Sequence, residues 1–351
     1  MKNLFALFFA VLLVWSCKKD DLSSDASIVS YTVTDISRPS LNLDRIFLDE
    51  TNQTISLLFA DLIPADSLPV NVTATLTLSS GATSVPASGE TVSLSSLDQG
   101  VKYTVTAEDG TKAEYYVMLR DNQLSNSDFE DWYTANGMNG VPYKEPGKSA
   151  VSTLWATANS GTSIYGVYGT LPIQVGDNTV AQITTGETLM VPVTSGTIFI
   201  GKFDLNGAID HPTDPSQSMH YGVPFSLRPS GVKFKYSYVP GSRYVKATLN
   251  DPGNIFGGFT IADIEGEDML TFYAYLEVRD GENIREIGRA DFDSGDLQET
   301  MVEKTVPFNY TSSEKPTHIT VVFASSKYGA EFTGAVGSVL TVDDLELLYE
   351  E

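Results

Sequence analysis

One cysteine, Cys17, is all the chain contains, so no disulfide can form within it. Core packing alone has to hold the fold. Histidine is nearly as scarce, with only His211, His220 and His318. No Gly-x-Ser-x-Gly turn occurs, so the elbow that presents a hydrolase serine is missing. Neither a P-loop nor a dinucleotide-binding glycine fingerprint is present. Positive charge is short: 22 Lys plus Arg stand against 45 Asp plus Glu, a net charge of −23. Phosphate backbones need basic clusters, which excludes nucleic acid and other polyanions as partners. Neutral glycans and cations remain as ligands. No apolar run is long enough to span a bilayer; Leu4 to Trp15 is about 12 residues. A sustained helical period is missing too, and Ile255 to Ile264 is too rich in glycine for a good helix.

That short apolar run has its own meaning. Met1-Lys2-Asn3 precedes it, and Ser16 and then Cys17 follow it, which is the layout of a secretory signal. Val14-Trp15-Ser16-Cys17 resembles a bacterial lipobox, with Trp15 unusual at its middle position. The resemblance implies removal of residues 1–16 and a lipid on Cys17. Lys18-Lys19-Asp20-Asp21 resembles the signal that sends lipoproteins of the Bacteroidetes to the outer face of the outer membrane. The expected location is therefore the outer membrane, lipid-anchored and exposed at the cell surface, with residues 17–26 as a tether. Contact with the membrane would be through the lipid alone.

Hydrophobic residues are 42% and charged residues 19%, enough to bury real cores and too apolar for a disordered chain. Residues 27–121 read as short alternating runs: Val29–Val33, Thr54–Phe59, Val70–Leu78, Tyr103–Ala107 and Ala113–Leu119. Asp109-Gly110 marks a hairpin turn. About seven short strands in this length suggest an immunoglobulin-like sandwich. Asp66, Glu90 and Asp98 read as solvated loop charges rather than metal ligands. Asp121-Asn122-Gln123 is the expected junction. Residues 122–351 are again strand-rich, with Val232–Tyr238, Leu270–Arg279, His318–Ala324 and Val339–Tyr349 as the clearest runs. This length in strands suggests a jelly-roll sandwich of galactose-binding or glucanase-like type. The fold class expected is all-β.

Leu124-Ser125-Asn126-Ser127-Asp128-Phe129-Glu130-Asp131-Trp132 opens the second region, and the block Ser325–Leu345 closes it. With Leu154–Asn159 and Pro224–Phe234 between them, these segments resemble the family named "putative carbohydrate metabolism domain" of Bacteroidetes lipoproteins. Tyr103–Leu119 resembles the last hairpin of immunoglobulin-like spacer modules in such lipoproteins. Asn126-x-x-Phe129-Glu130 and Asp343-Asp344-Leu345 are also similar to the opening and closing strands of jelly-roll carbohydrate-binding modules. That similarity implies a structural Ca²⁺ held by Glu130 and Asp343, or by Asp344 in place of Asp343. Calcium takes six to eight hard oxygens, which two adjacent strands can supply. Alternatively these acids only end or face out from edge strands.

Within Leu270–Arg279, the two-residue period puts Tyr273, Tyr275, Glu277 and Arg279 on one sheet face. Stacking rings beside charged ends suit a sugar, though a solvated outer face would carry the same residues. Glu277 is the candidate catalytic acid, because glycoside hydrolysis needs two carboxylates across a cleft. The Glu-x-Asp-x-x-Glu strand motif of laminarinase-like hydrolases is absent. Trp132, Trp155 and Arg228 are further ligand-facing candidates, each with a packing alternative. Loop-like Tyr143, Tyr165, Tyr168 and Tyr221 could form a glycan platform. His211 and His220, with Asp210 or Asp214, read as loop residues or as a metal site. The sequence therefore points to a surface lipoprotein that binds carbohydrate, with other glycan-utilisation surface proteins as partners. Its rivals are a glycoside hydrolase or lyase, and an adhesive protein without a small ligand.

Overall fold

In a computed structural model, the described residues are 22–138 and 140–350. The signal segment, Cys17 and most of the tether lie outside them, and so do the expectations made for those residues.

Alternation builds the first sandwich. Val70–Leu78 buries Val70, Val72, Ala74 and Leu76 and turns the residues between them outward. It sits between Ile28–Ile36 and Thr91–Leu94 in a three-stranded sheet. A five-stranded sheet faces it, in the order Leu43–Asp49, Thr54–Phe59, Lys112–Arg120, Val101–Thr106, Thr83–Val85. Ile28, Val70, Ile55, Val117 and Tyr103 fill the layer between. Gly110 takes φ +93° at the expected turn, where Ala107 N donates to Thr111 O over 2.8 Å. That left-handed backbone is why glycine stands there. Leu43–Asp49 was not among the runs the period picks out. It is an edge strand, half-buried along its whole length, so it shows no alternation.

Deeper alternation marks the second sandwich. Its five-stranded sheet runs Thr170–Val175, Asn178–Thr184, Val339–Leu348, Gly231–Val239, Gln298–Pro307. The larger sheet runs Trp155–Thr157, Thr197–Phe203, His318–Ala324, Leu270–Asp280, Asn283–Ser294, Asn309–Tyr310. Met219–Tyr221 adds beside Thr197–Phe203, and Val223–Pro224 beside His318–Ala324. Phe234, Phe272 and Phe323 meet between the sheets with ring centroids 4.5–5.0 Å apart. Burying each such ring contributes about 1.5–3 kcal/mol. The all-β expectation holds for both halves.

The segment between the sandwiches is fastened on both sides. Asp121 accepts from Ile63 N over 3.2 Å in the first sandwich. Gln123 exchanges two hydrogen bonds with the Leu347 backbone in the second, at 2.8 and 2.9 Å. Arg120 is buried, donating to Leu97 O on one side and to Ser152 O on the other. Farther along the contact, Phe47 packs edge-on against His318 at 5.2 Å, and Lys315 pairs with Asp44 at 2.6 Å.

Candidate functional site

The strand Leu270–Asp280 has two faces. Leu270, Phe272, Ala274 and Leu276 enter the core with no exposed surface. Thr271, Tyr273, Tyr275, Glu277 and Arg279 lie on the outer face, as the period predicts. Tyr273 and Tyr275 stack, with centroids 6.2 Å apart and planes 11° apart. The Arg289 guanidinium lies 5.2 Å from the Tyr273 ring and 5.7 Å from Tyr275.

Thr271 and Tyr273 floor a groove of about 410 Å³, within the range of small-ligand sites. Thr197, Val322 and Ala324 of neighbouring strands complete the floor. One wall is the short helical stretch from Ala158 to Tyr165; another is the segment Phe203–Tyr221. Phe256, 81% exposed, and the exposed Tyr165 also line the groove. Tyr221 packs edge-on over Phe199 at 5.3 Å. Burial raises the Tyr221 and Tyr273 phenols, so both stay protonated donors at neutral pH. No Asp or Glu belongs to the lining among the described residues.

Toward Arg279 the same outer face is covered. Arg279 donates to Glu277 Oε2 at 2.8 Å and to Tyr221 O at 2.7 Å. Gly222, at φ +91°, lets this segment approach: a Cβ there would stand 2.5 Å from the Arg279 guanidinium. His318 lies opposite Glu277 on the neighbouring strand and is capped by Phe47 of the first sandwich. Burial, then the Arg279 charge, pulls the His318 imidazole down to about 4, so it is neutral at pH 7. The four residues grouped by period therefore divide: Tyr273 opens to the groove, and Glu277 with Arg279 is sealed. Glu277 touches no groove surface, which corrects its candidacy as a cleft acid.

Behind one wall, a hydroxyl network holds the C-terminal block. Asp268 accepts from Ser326 Oγ, from Ser338 Oγ at 2.7 Å and from Ala335 N at 2.9 Å. Thr185 Oγ1 meets Ser325 Oγ and Ser326 Oγ at 2.7 and 2.6 Å. Burial raises the Asp268 carboxyl against these lowering contacts. This network pins the groove-lining segment Ser326–Phe332. Asp268 ends the acidic loop Glu265-Gly266-Glu267-Asp268, whose other acids are exposed, so no local pattern marks it.

The other candidates sit elsewhere. Trp155 is 1% exposed, packs on Phe129 at 5.0 Å and donates its indole N–H to Ser125 O. Trp132 packs against the same core and donates to Phe129 O at 2.6 Å. Neither ring belongs to the groove lining. Arg228 donates to Ser312 O and Glu314 O and covers the Tyr310 ring at 3.9 Å, so it anchors a loop. Glu130 accepts from Thr179 N at 3.0 Å, and Asp343 accepts from the Asn178 amide at 2.8 Å and from Asp344 N at 2.9 Å. Asp344 itself pairs with Lys235 at 2.6 Å. One oxygen of Glu130 and both of Asp343 already accept from N–H donors, and no three His, Cys, Asp or Glu residues converge among the described residues. His211 reaches the groove rim, whereas His220 is exposed 3.6 Å from Asp204, so the two histidines form no metal site.

A second buried acid, besides Asp268, escaped the sequence reading. Glu145 is 7% exposed and accepts from Thr157 N at 3.1 Å and Thr157 Oγ1 at 2.7 Å. Burial pushes its carboxyl up to about 8. A hydrolase acid needs such a shift, but Glu145 lies behind the wall with its oxygens engaged.

The family model "Putative carbohydrate metabolism domain" matches residues 128–348, and the model "SGBP, N-terminal" matches residues 36–119. A crystal structure from Bacteroides thetaiotaomicron, described as a putative glycoside hydrolase, is 23% identical with a TM-score of 0.55. The alignment covers 95% of this chain and 99% of that one. A second so described, from Bacteroides vulgatus, is 20% identical with a TM-score of 0.52, covering 64% of this chain and 97% of that one. At these identities the likeness shows a shared fold. No curated protein matches. The matched span is more than half the chain, and it takes in Asp128–Trp132 of the opening block and the whole closing block: this chain belongs to the "Putative carbohydrate metabolism domain" family.

Proposed function

We propose that the protein binds neutral carbohydrate in the groove on the outer face of the larger sheet. The observation that carries this reading is the groove itself, floored by Tyr273, with Tyr165, Phe203, Tyr221 and Phe256 around it. Aromatic faces stack on the apolar faces of sugar rings, and hydroxyls of Thr162, Thr197 and Thr271 serve the rim and floor. Family membership supports a carbohydrate role. The net charge of −23 disfavours acidic glycans.

Residues 27–121 form, in this reading, an immunoglobulin-like spacer, and residues 122–351 the binding domain. The chain is lipid-anchored through Cys17 at the cell surface and works beside other glycan-utilisation proteins. The Val14–Cys17 resemblance supports that location. Acyl labelling that survives Cys17→Ala, or protection from protease added to intact cells, would overturn it.

A glycan-array and turnover screen of the protein tests the main reading. Binding without product is the expected result. Because the two similar crystal structures are described as putative glycoside hydrolases, reducing-end release is measured in parallel. Release would replace capture by hydrolysis, and silence in both assays would leave an adhesive role.

A further inference from the structure

The chemistry of the groove wall is uneven. Among the described residues, its lining holds no Asp, Glu, Asn, Gln, Arg or Trp. Adjacent sugar hydroxyls are usually met by planar two-pronged groups, which are the carboxylates, amides and guanidinia missing here. Several of the hydroxyls present are committed within the protein. Ser326 Oγ donates to Asp268, Ser195 Oγ to Gly196 O at 3.0 Å, and Thr188 Oγ1 accepts from Val191 N at 2.9 Å. Ile164, Val191, Val193, Leu205, Ile209 and Val322 supply most of what remains.

Its charge is equally particular. Lys327 is the one lysine of the lining and is held by Asp293 at 2.7 Å. His211 reaches the rim from an exposed loop. A body carrying −23 thus presents here an apolar hollow with no acid and a neutralised lysine. A ligand complementary to it is uncharged and, over the part that enters, apolar.

We infer that the groove takes the apolar substituent of a neutral saccharide, an acyl or aryl group linked to the sugar, with the sugar itself held at the aromatic rim by Tyr165 and Phe256. This rests on the carbohydrate-binding reading above and narrows its ligand class. Burying an apolar substituent adds about 0.8 kcal/mol per CH₂, so a few buried carbons give a tenfold gain.

Calorimetry on the full chain tests it with methyl, octyl and 4-nitrophenyl glycosides of glucose, galactose, mannose and xylose, the octyl compounds below their micelle concentration. Octanol and 4-nitrophenol are the sugar-free controls. The expected result is a Kd at least tenfold lower for the octyl or the nitrophenyl compound than for the methyl glycoside of one sugar. Which of the two wins separates a chain-like acyl from a flat aryl source. Ile209→Ser, at a half-exposed position of the groove wall, should reduce that advantage severalfold. Equal affinity for methyl and substituted glycosides would overturn the substituent inference and leave carbohydrate binding standing. Octanol or nitrophenol binding as tightly as its glycoside would overturn both, as would no binding by any glycoside or array glycan. An advantage unmoved by Ile209→Ser would place the binding outside the groove and overturn the inference.

Discussion

The outer face of Leu270–Asp280 is one row of side chains with two fates. Tyr273 looks into an open groove, whereas Glu277 and Arg279, two and three positions farther along the same row, are paired with each other beneath the segment Met219–Pro224. His318 on the next strand is capped by the first sandwich. A period of two assigns a side chain to a face, but what lies over that face is decided by chain more than 50 residues away. The open end can meet a ligand; the covered end joins the two sandwiches.

The covered end should break first and hardest. Glu277→Ala leaves the largely covered Arg279 guanidinium with only Tyr221 O as an acceptor. Removing one partner of a largely buried pair costs about 2–4 kcal/mol, so urea unfolding should show a loss of that size. A loss under about 0.5 kcal/mol would mean that the pair is solvated and the end open.

Glu145 sharpens the same contrast, as a sealed acid without a cation. Its carboxyl is raised to about 8 from an ordinary value near 4.5. The folded state therefore holds a proton that the unfolded chain releases. That contribution is fully present below about pH 4.5 and is lost as pH rises to about 8. Between pH 5 and 8 unfolding free energy should fall by about 2–4 kcal/mol from this group. Glu145→Gln should flatten that slope, and an unchanged slope would show that Glu145 ionises freely in the fold.

His318 works in the opposite direction at the contact between sandwiches. Its imidazole is lowered to about 4 from 6.5, so the fold favours the neutral ring. Stability is full above about pH 6.5 and declines as pH falls toward 4, by roughly 2 kcal/mol. Arg279, Arg45 and Asp49 surround it electrostatically. Tryptic cleavage near the junction should accelerate at pH 5, and His318→Gln should remove that acceleration. Identical cleavage at pH 5 and pH 7.5 would break the link between this ring and docking.

Much of the fold was legible because its strands are deep. Val70–Leu78 and Leu270–Asp280 alternate cleanly since one face of each is wholly buried. Half-buried Leu43–Asp49 has no such contrast and went unseen. The site was legible only in part. Tyr273, Tyr165 and Tyr221 could be named from strand period and loop composition, and all three reach the groove. Trp132 and Trp155 could not be separated from core residues, because a tryptophan at a strand end reads the same whichever way it turns. Glu145 and Asp268 depend on burial by distant segments, and neighbouring residues carry no trace of that.

At the open end the expected stability effect is smallest and the functional one largest. Tyr165 is 46% exposed, and its phenol has no hydrogen bond within the protein among the described residues. Tyr165→Ala should therefore shift unfolding free energy by no more than about 0.5 kcal/mol. An aromatic platform stacked on a sugar ring contributes on the order of 1 kcal/mol beyond simple area burial, so affinity for whichever glycan the array identifies should fall about five- to tenfold. The same substitution strategy at Glu277 should do the reverse, lowering stability while sparing affinity in the molecules that remain folded. Should Tyr165→Ala destabilise the fold as much as Glu277→Ala does, the two ends would not differ in kind. The groove would then be a packing defect of the outer face, with no ligand for it to receive.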